Sequence, residues 1–252
     1  MNIKINILLS AAVIMAFSAC KEPCCDPDPP KNDTVQVGLS FKPVFKGNAL
    51  SWSDNYITEA GDTIRFDKVK FLMSDFTLER QNGELVQLKH QYAYISLKDN
   101  RDSVMLINVP RGDYKSLRFQ VGLDSAVNHG NQAQWGLDHA LNPSVNDMHW
   151  GWTGGYIFNI IEGYFKNNGA DAAFTFHIAT LKNARSYTFV QDFKLDKDGR
   201  FVFDVNMDKY FSNVLNYSLK TDGASSHSGN NDPIMAKFIQ NVNSVLELKD
   251  FK

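Results

Sequence analysis

The sequence predicts an all-β protein, an antiparallel β-sandwich with one or two short helices near the C-terminus. Three observations lead there. Short runs rich in β-branched and aromatic residues recur along the chain, which suits the pleated, half-buried surface of a strand. Turn dipeptides separate them, among them Asn82-Gly83, Asn168-Gly169 and Asp198-Gly199, the strongest short-range hairpin signals. Long stretches of helical period between these turns are missing, which favours a sandwich. At 252 residues with 43% apolar composition, the chain is long enough to bury a sizeable core.

Residues 1–19 read as a targeting segment. Lys4 gives a short positive start, ILLSAAVIMAFSA is an apolar run too short to span a bilayer, and small residues precede Cys20. Ser18-Ala19-Cys20 has the form of a bacterial lipobox, so cleavage before Cys20 and acylation of its thiol are expected to anchor the protein to a membrane. Residues 20–33, proline-rich and poor in apolar side chains, read as a tether. Cys24 and Cys25 are neighbours within it, where a mutual bridge would be strained. No cysteine follows, so the domain over residues 34–252 relies on its core, and a soft metal site inside it would depend on histidine or methionine.

Within that domain, TVQVGLSFKPVF alternates as a strand pair would. FDKVKFLMSDFTLERQNGELVQL gives two runs joined through Asn82-Gly83, and SVMLINV and SLRFQVG flank Pro110-Arg111-Gly112. TFVQDFKLDKDGRFVFDVNM is expected to form a hairpin through Asp198-Gly199. Asp196-x-Asp198-Gly199 also opens like a calcium loop, but it lacks the later glutamate and reads as a plain turn. KYFSNVLNYSL and DPIMAKFIQNVNSVLEL are the helical candidates. The second starts with Asp-Pro and carries Ile234, Phe238, Ile239 and Val242 at helical spacing.

The residues that carry chemistry concentrate between Phe119 and His177. This stretch holds His129, His139, His149 and His177, the tryptophans Trp135, Trp150 and Trp152, and Glu162 inside an apolar run. If Met148–Trp152 is extended, Met148, Trp150 and Trp152 share one face. YIFNIIEGYF and AAFTFHI read as the two strands of a hairpin around Asn168-Gly169. A two-residue loop sets Glu162 opposite Thr175 and Ile160 opposite His177, leaving Glu162 and His177 as diagonal neighbours on one face. A loop one residue longer would move them to opposite faces. A carboxylate that orients a ligand histidine is a recurrent arrangement around metals.

These residues resemble a known family. PRGDYKSLRFQVGLDSAVNHG, MHWGWTGGYIFNIIEG and FTFHI are similar to the motifs of the MbnP-like domain, in particular its lipoprotein branch, over most of residues 35–252. The resemblance implies a β-sandwich that binds copper, with Cu(I) favoured, through histidines next to a tryptophan. In some relatives a di-haem cytochrome peroxidase-like partner oxidises that tryptophan to kynurenine. Carried over by position, His129 and His177 are the primary ligands and His227 matches a late family histidine; His227 or His149 is expected to complete the site. Trp150 or Trp152 is the adjacent aromatic ring, with Glu162 and Met148 in support. Relatives carry an aromatic residue at the place of His149, and a glycine after the FHI histidine where this chain has Ala179-Thr180.

The expected role is a non-enzymatic envelope lipoprotein for copper acquisition or handling. No phosphate loop, dinucleotide fingerprint, nucleophile elbow or H-E-x-x-H helix is present in the sequence. A net charge of −2 gives no basic footprint for nucleic acid. The competing reading is a surface glycan- or protein-binding lipoprotein whose indoles form a stacking platform, and a third is an MbnP-like scaffold with no ligand.

Overall fold

The computed structural model describes residues 33–151 and 154–252; Cys20, Cys24, Cys25 and Trp152 lie outside them. Asp33–Lys252 makes one compact unit. Its strands, in chain order, are β1 (Thr34–Phe45), β2 (Asn48–Ala49), β3 (Tyr56–Ile57), β4 (Thr63–Arg80), β5 (Leu85–Gln87), β6 (Ala93–Ser96), β7 (Ser103–Pro110), β8 (Gly112–Val121), β9 (Ile157–Asn167), β10 (Ala170–Ala179), β11 (Arg185–Leu195), β12 (Gly199–Asn206), β13 (Ser225–Ser226) and β14 (Leu246–Phe251). Four short helices, α1 (Ser125–Asn128), α2 (Pro143–Asn146), α3 (Leu219–Asp222) and α4 (Pro233–Phe238), sit in the connections.

The strands build two sheets. One runs β14-β12-β1-β2, with β7 also on β1; the other runs β11-β8-β4-β9-β10-β13, with β3, β5 and β6 on β4. Phenylalanines interlock between them: Phe41 of β1 meets Phe71 of β4 edge-on at 5.4 Å, and Phe203 of β12 meets Phe119 of β8 at 5.7 Å. Such pairs add specific geometry to the apolar burial that holds a sandwich together. Most pairings are antiparallel, but β1–β12 and β10–β13 are parallel.

The long strand β4 serves two cores because successive side chains point to opposite faces. Phe71 enters the main core. Leu72 enters a second cluster with Tyr94, Leu141, Met148, Tyr156, Phe158 and Ile160, where the excursion between β8 and β9 packs on the outer face of the larger sheet.

Four local expectations change. Asp198-Gly199 does not close a hairpin: β11 pairs with β8 in one sheet, whereas β12 lies between β1 and β14 in the other. Gly199 is needed for space, since a Cβ there would come within 2.7 Å of the Phe251 ring, and Asp198 accepts the Gln36 backbone N–H at 2.9 Å, pinning the corner where the chain changes sheet. KYFSNVLNYSL is not a continuous helix. The buried Asn241 amide accepts from Val214 and Leu215 N–H and donates to the Tyr210 and Leu215 carbonyls, templating a fold-back. The last predicted helix is α-helical only over the six residues of α4, continues as 3-10 helix to Ser244 and gives way to strand β14. TVQVGLSFKPVF is one strand, not two.

Candidate metal centre

The site begins with the β9–β10 hairpin. Asn168 and Gly169 both take positive φ, 51° and 86°, the turn that matches the twist of paired strands. The register follows: Glu162 opposite Thr175, Ile160 opposite His177. Phe174 and Phe176 point into the main core, so Thr175 and His177 face outward. Glu162 is followed by Gly163, where β9 passes close to β4; a Cβ there would lie 2.6 Å from the Phe174 ring.

Glu162 is the electrostatic centre of this face. Its Oε1 is 2.7 Å from His177 Nε2 and its Oε2 is 2.9 Å from Lys68 Nζ. The hydrogen bond with His177, together with the Lys68 ammonium, holds the carboxyl down from 4.5 to about 2, and the same pairing raises Lys68. An ionised carboxylate only accepts, so His177 must donate from Nε2. In the neutral ring the lone pair then sits on Nδ1. That atom is buried and makes no hydrogen bond.

The second imidazole arrives from fifty residues away in sequence. β13 runs parallel to β10 with Thr175 beside Ser225 and Phe176 beside Ser226, and the next step of that ladder sets His227 beside His177. Their ring centroids are 4.7 Å apart at 82°. Ser228, 4% exposed, clamps the pair: its hydroxyl donates to the His177 carbonyl at 2.8 Å and accepts the Ala179 N–H at 2.9 Å. Trp150, 40% exposed, lies 6.4 Å from both imidazoles, centroid to centroid.

The other named residues lie on the excursion between β8 and β9. His129 closes α1, with Nδ1 at 3.1 Å from the Ser125 carbonyl and Nε2 at 3.4 Å from the Asn128 amide nitrogen. His149 accepts the Gly151 N–H through Nδ1 and sets its ring edge-on to Tyr156 at 4.5 Å; burial lowers its pKa. His139 stacks on Trp135 at 4.2 Å and is likewise lowered by burial. Met148 is fully buried in the second cluster whereas Trp150 is exposed; between them His149 forms an isolated antiparallel bridge with Tyr156, and Trp152 lies outside the described residues. Among the described residues, no group of three or more His, Cys, Asp or Glu side chains is assembled to hold a metal. What the fold brings together is two imidazoles and one indole. The sequence signal for His227 was its place in the family pattern; the two-residue strand that sets it beside His177 was too short to read without its partner.

A sequence profile described as MbnP matches residues 34–231. The chain belongs to the MbnP family. The solved structure of MbnP from Methylosinus trichosporium is similar at a TM-score of 0.60 and 14% identity, covering 85% of this chain and 98% of that one, a likeness of fold. Comparison with curated proteins gives no match. The MbnP-family region ends before α4 and β14, and includes Trp150, Glu162, His177 and His227.

Proposed function

We propose that this MbnP-family protein binds one copper ion, as Cu(I), through His177 and His227, and that it handles copper rather than catalysing a reaction. The observation that carries the reading is the His177 ring. Glu162 holds Nε2 at 2.7 Å, and the buried Nδ1 is left without a hydrogen-bond partner beside a second imidazole. A buried acceptor without a donor is costly, and a soft cation satisfies it. Two neutral imidazoles with no carboxylate free for the metal suit copper better than magnesium or calcium, and a low coordination number favours Cu(I). The Glu162–His177 bond is the kind of outer contact that fixes ring orientation in metal sites.

In this reading Lys68 and Glu162 orient His177, Ser228 holds the His227 segment against β10, and Trp150 borders the pair as the ring open to modification. His129 and His149 are the further donors to test. Lipidation at Cys20 would hold the domain at a membrane of the bacterial envelope, and a di-haem cytochrome peroxidase-like protein is the proposed partner acting on the tryptophan. Among the described residues no helix is long and apolar enough to cross a membrane. The glycan-platform alternative expects tryptophans in a groove away from histidines; Trp150 sits beside two of them, which favours copper.

The test is elemental analysis of purified protein after Cu(I) loading, alongside His177→Ala, His227→Ala, His129→Ala and His149→Ala. Stoichiometric copper lost in the first two variants supports the pair. Retention of copper by both, in folded protein, refutes it.

A further inference from the structure

A bulge in β4 brings polar groups of both signs together on the outer face of the larger sheet. Ser74 of β4 pairs with Gln120 of β8 and Thr77 with Arg118, so Asp75 and Phe76 stand opposite the single residue Phe119. Phe76 and Phe119 enter the main core, which leaves Asp75 on the outer side, in left-handed backbone at φ 57°. A bulge of this kind re-aims a side chain and recurs next to functional sites. Arg118 and Gln120 flank it on the same face, because Leu117, Phe119 and Val121 point inward.

Arg118 is half-buried, and its Nε is wholly buried without a hydrogen-bond partner. A donor left in that state is costly, and a guanidinium matches a carboxylate with two parallel hydrogen bonds. The carboxylates of this face do not supply that match. Glu79 is held by Lys115 and Ser116, and Asp75 makes one long side-chain contact, 3.4 Å, with the Gln87 amide. Asp75, Gln87, Lys89, Tyr92 and Gln120 line a groove of about 460 Å³ over the bulge, a size that suits a small molecule. Leu88, Leu123 and Leu181 give it an apolar side, and Asp124 stands at its wall with one oxygen on the Val127 N–H. The Tyr92 ring is braced by Trp135 at 5.6 Å and His139 at 5.8 Å.

We propose that this groove binds an α-amino acid with an apolar or aromatic side chain, its carboxylate on the Arg118 guanidinium, its ammonium on Asp75 and its side chain against Tyr92 and Leu181. The charges select this class. Arg118 and Lys89 stand with Asp75 and Asp124 in or beside the groove. A simple anion would meet the two carboxylates, a simple cation would meet the two basic groups, and a neutral sugar would leave the Arg118 charge unmatched. A zwitterion satisfies both signs. Arg118 and Asp75 lie on adjacent strands, about 5 Å apart in the hydrogen-bonding direction, which suits an ammonium and a carboxylate carried on one carbon better than the separated ends of a peptide. Leu181, 43% exposed, gains cover from an apolar side chain. The site needs no copper and uses none of Trp150, His177 and His227, so a failure here leaves the copper reading intact, and the reverse also holds.

The test is saturation-transfer nuclear magnetic resonance and titration calorimetry on the purified protein, with L-leucine, L-methionine and L-phenylalanine each offered up to about 10 mM. At least one should bind, and its N-acetyl derivative, which lacks the ammonium, and its amide, which lacks the carboxylate, should each bind at least about tenfold more weakly. Arg118→Gln and Asp75→Asn should each weaken binding by a similar factor while keeping the wild-type circular dichroism spectrum; asparagine is at home in the left-handed backbone of position 75. The derivative series uses wild-type protein alone, so it decides the matter even where a variant does not fold. No binding of any of the three amino acids, equal binding of a derivative that lacks one charge, or undiminished affinity in either folded variant overturns the proposal.

Discussion

Replacing Glu162 with glutamine removes the one charge that both His177 and Lys68 address, while keeping the side chain's shape. The carboxyl sits at about 2 instead of 4.5. At ~1.36 kcal/mol for each pH unit, that is about 3 kcal/mol before screening. Glu162 and Lys68 side chains are 22% and 38% exposed, so solvent reduces it, and about 1–2 kcal/mol is the expected loss. For a domain of this size that corresponds to roughly 2–8 °C in melting temperature. The pH dependence fixes the sign. A carboxyl lowered in the folded state contributes fully above its ordinary value of 4.5 and loses that contribution as pH falls toward about 2. Melting of the wild type and Glu162→Gln by circular dichroism should therefore differ by that margin at neutral pH and converge below pH 4.5. Equal melting at neutral pH, or a difference that persists unchanged into strong acid, would refute the reasoning.

Other outcomes follow from the same geometry. Ser228→Ala leaves the Ala179 N–H unpaired in a buried position, a cost of about 1–3 kcal/mol, and should weaken copper retention in equilibrium dialysis because the His227 segment loses its clamp. Gly163→Ala forces a methyl group against the Phe174 ring and β4; overpacking of this kind costs about 1–3 kcal/mol and should lower the denaturation midpoint in urea. Phe176→Ala removes the ring stacked on Phe238 at 3.8 Å, about 3–5 kcal/mol, the largest loss of stability in the set. Copper retention by the wild type should fall on acidification, since imidazole must be neutral to bind metal; dialysis across the acidic range checks it.

The parts of this molecule that local chemistry determines were readable in the chain. Asn168-Gly169 set the hairpin register residue by residue, and with it the Glu162–His177 contact. The tryptophan and histidine motifs placed the chain in its family. What could not be read depends on partners distant in sequence. His227 reaches His177 only because β13 joins β10 in parallel over two residues, and Lys68 reaches Glu162 through the β4–β9 ladder. Asp198-Gly199 misled because its glycine answers the Phe251 ring instead of a turn. The fold-back after Tyr210 was hidden because it is templated by the amide of Asn241, thirty-one residues further along.

The distance along the chain between His177 and His227 has a further meaning. All three cysteines precede residue 26, so the domain has no covalent cross-link between its distant segments. A metal shared by the two imidazoles would supply one, closing a fifty-residue loop and making cargo and staple the same atom. Loading would then be written into the protein's resistance to unfolding, rising by RT ln(1 + [L]/Kd). A quality-control protease of the envelope that samples opened chains would remove empty copies faster than full ones, and the abundance of the protein would itself report the copper it had met.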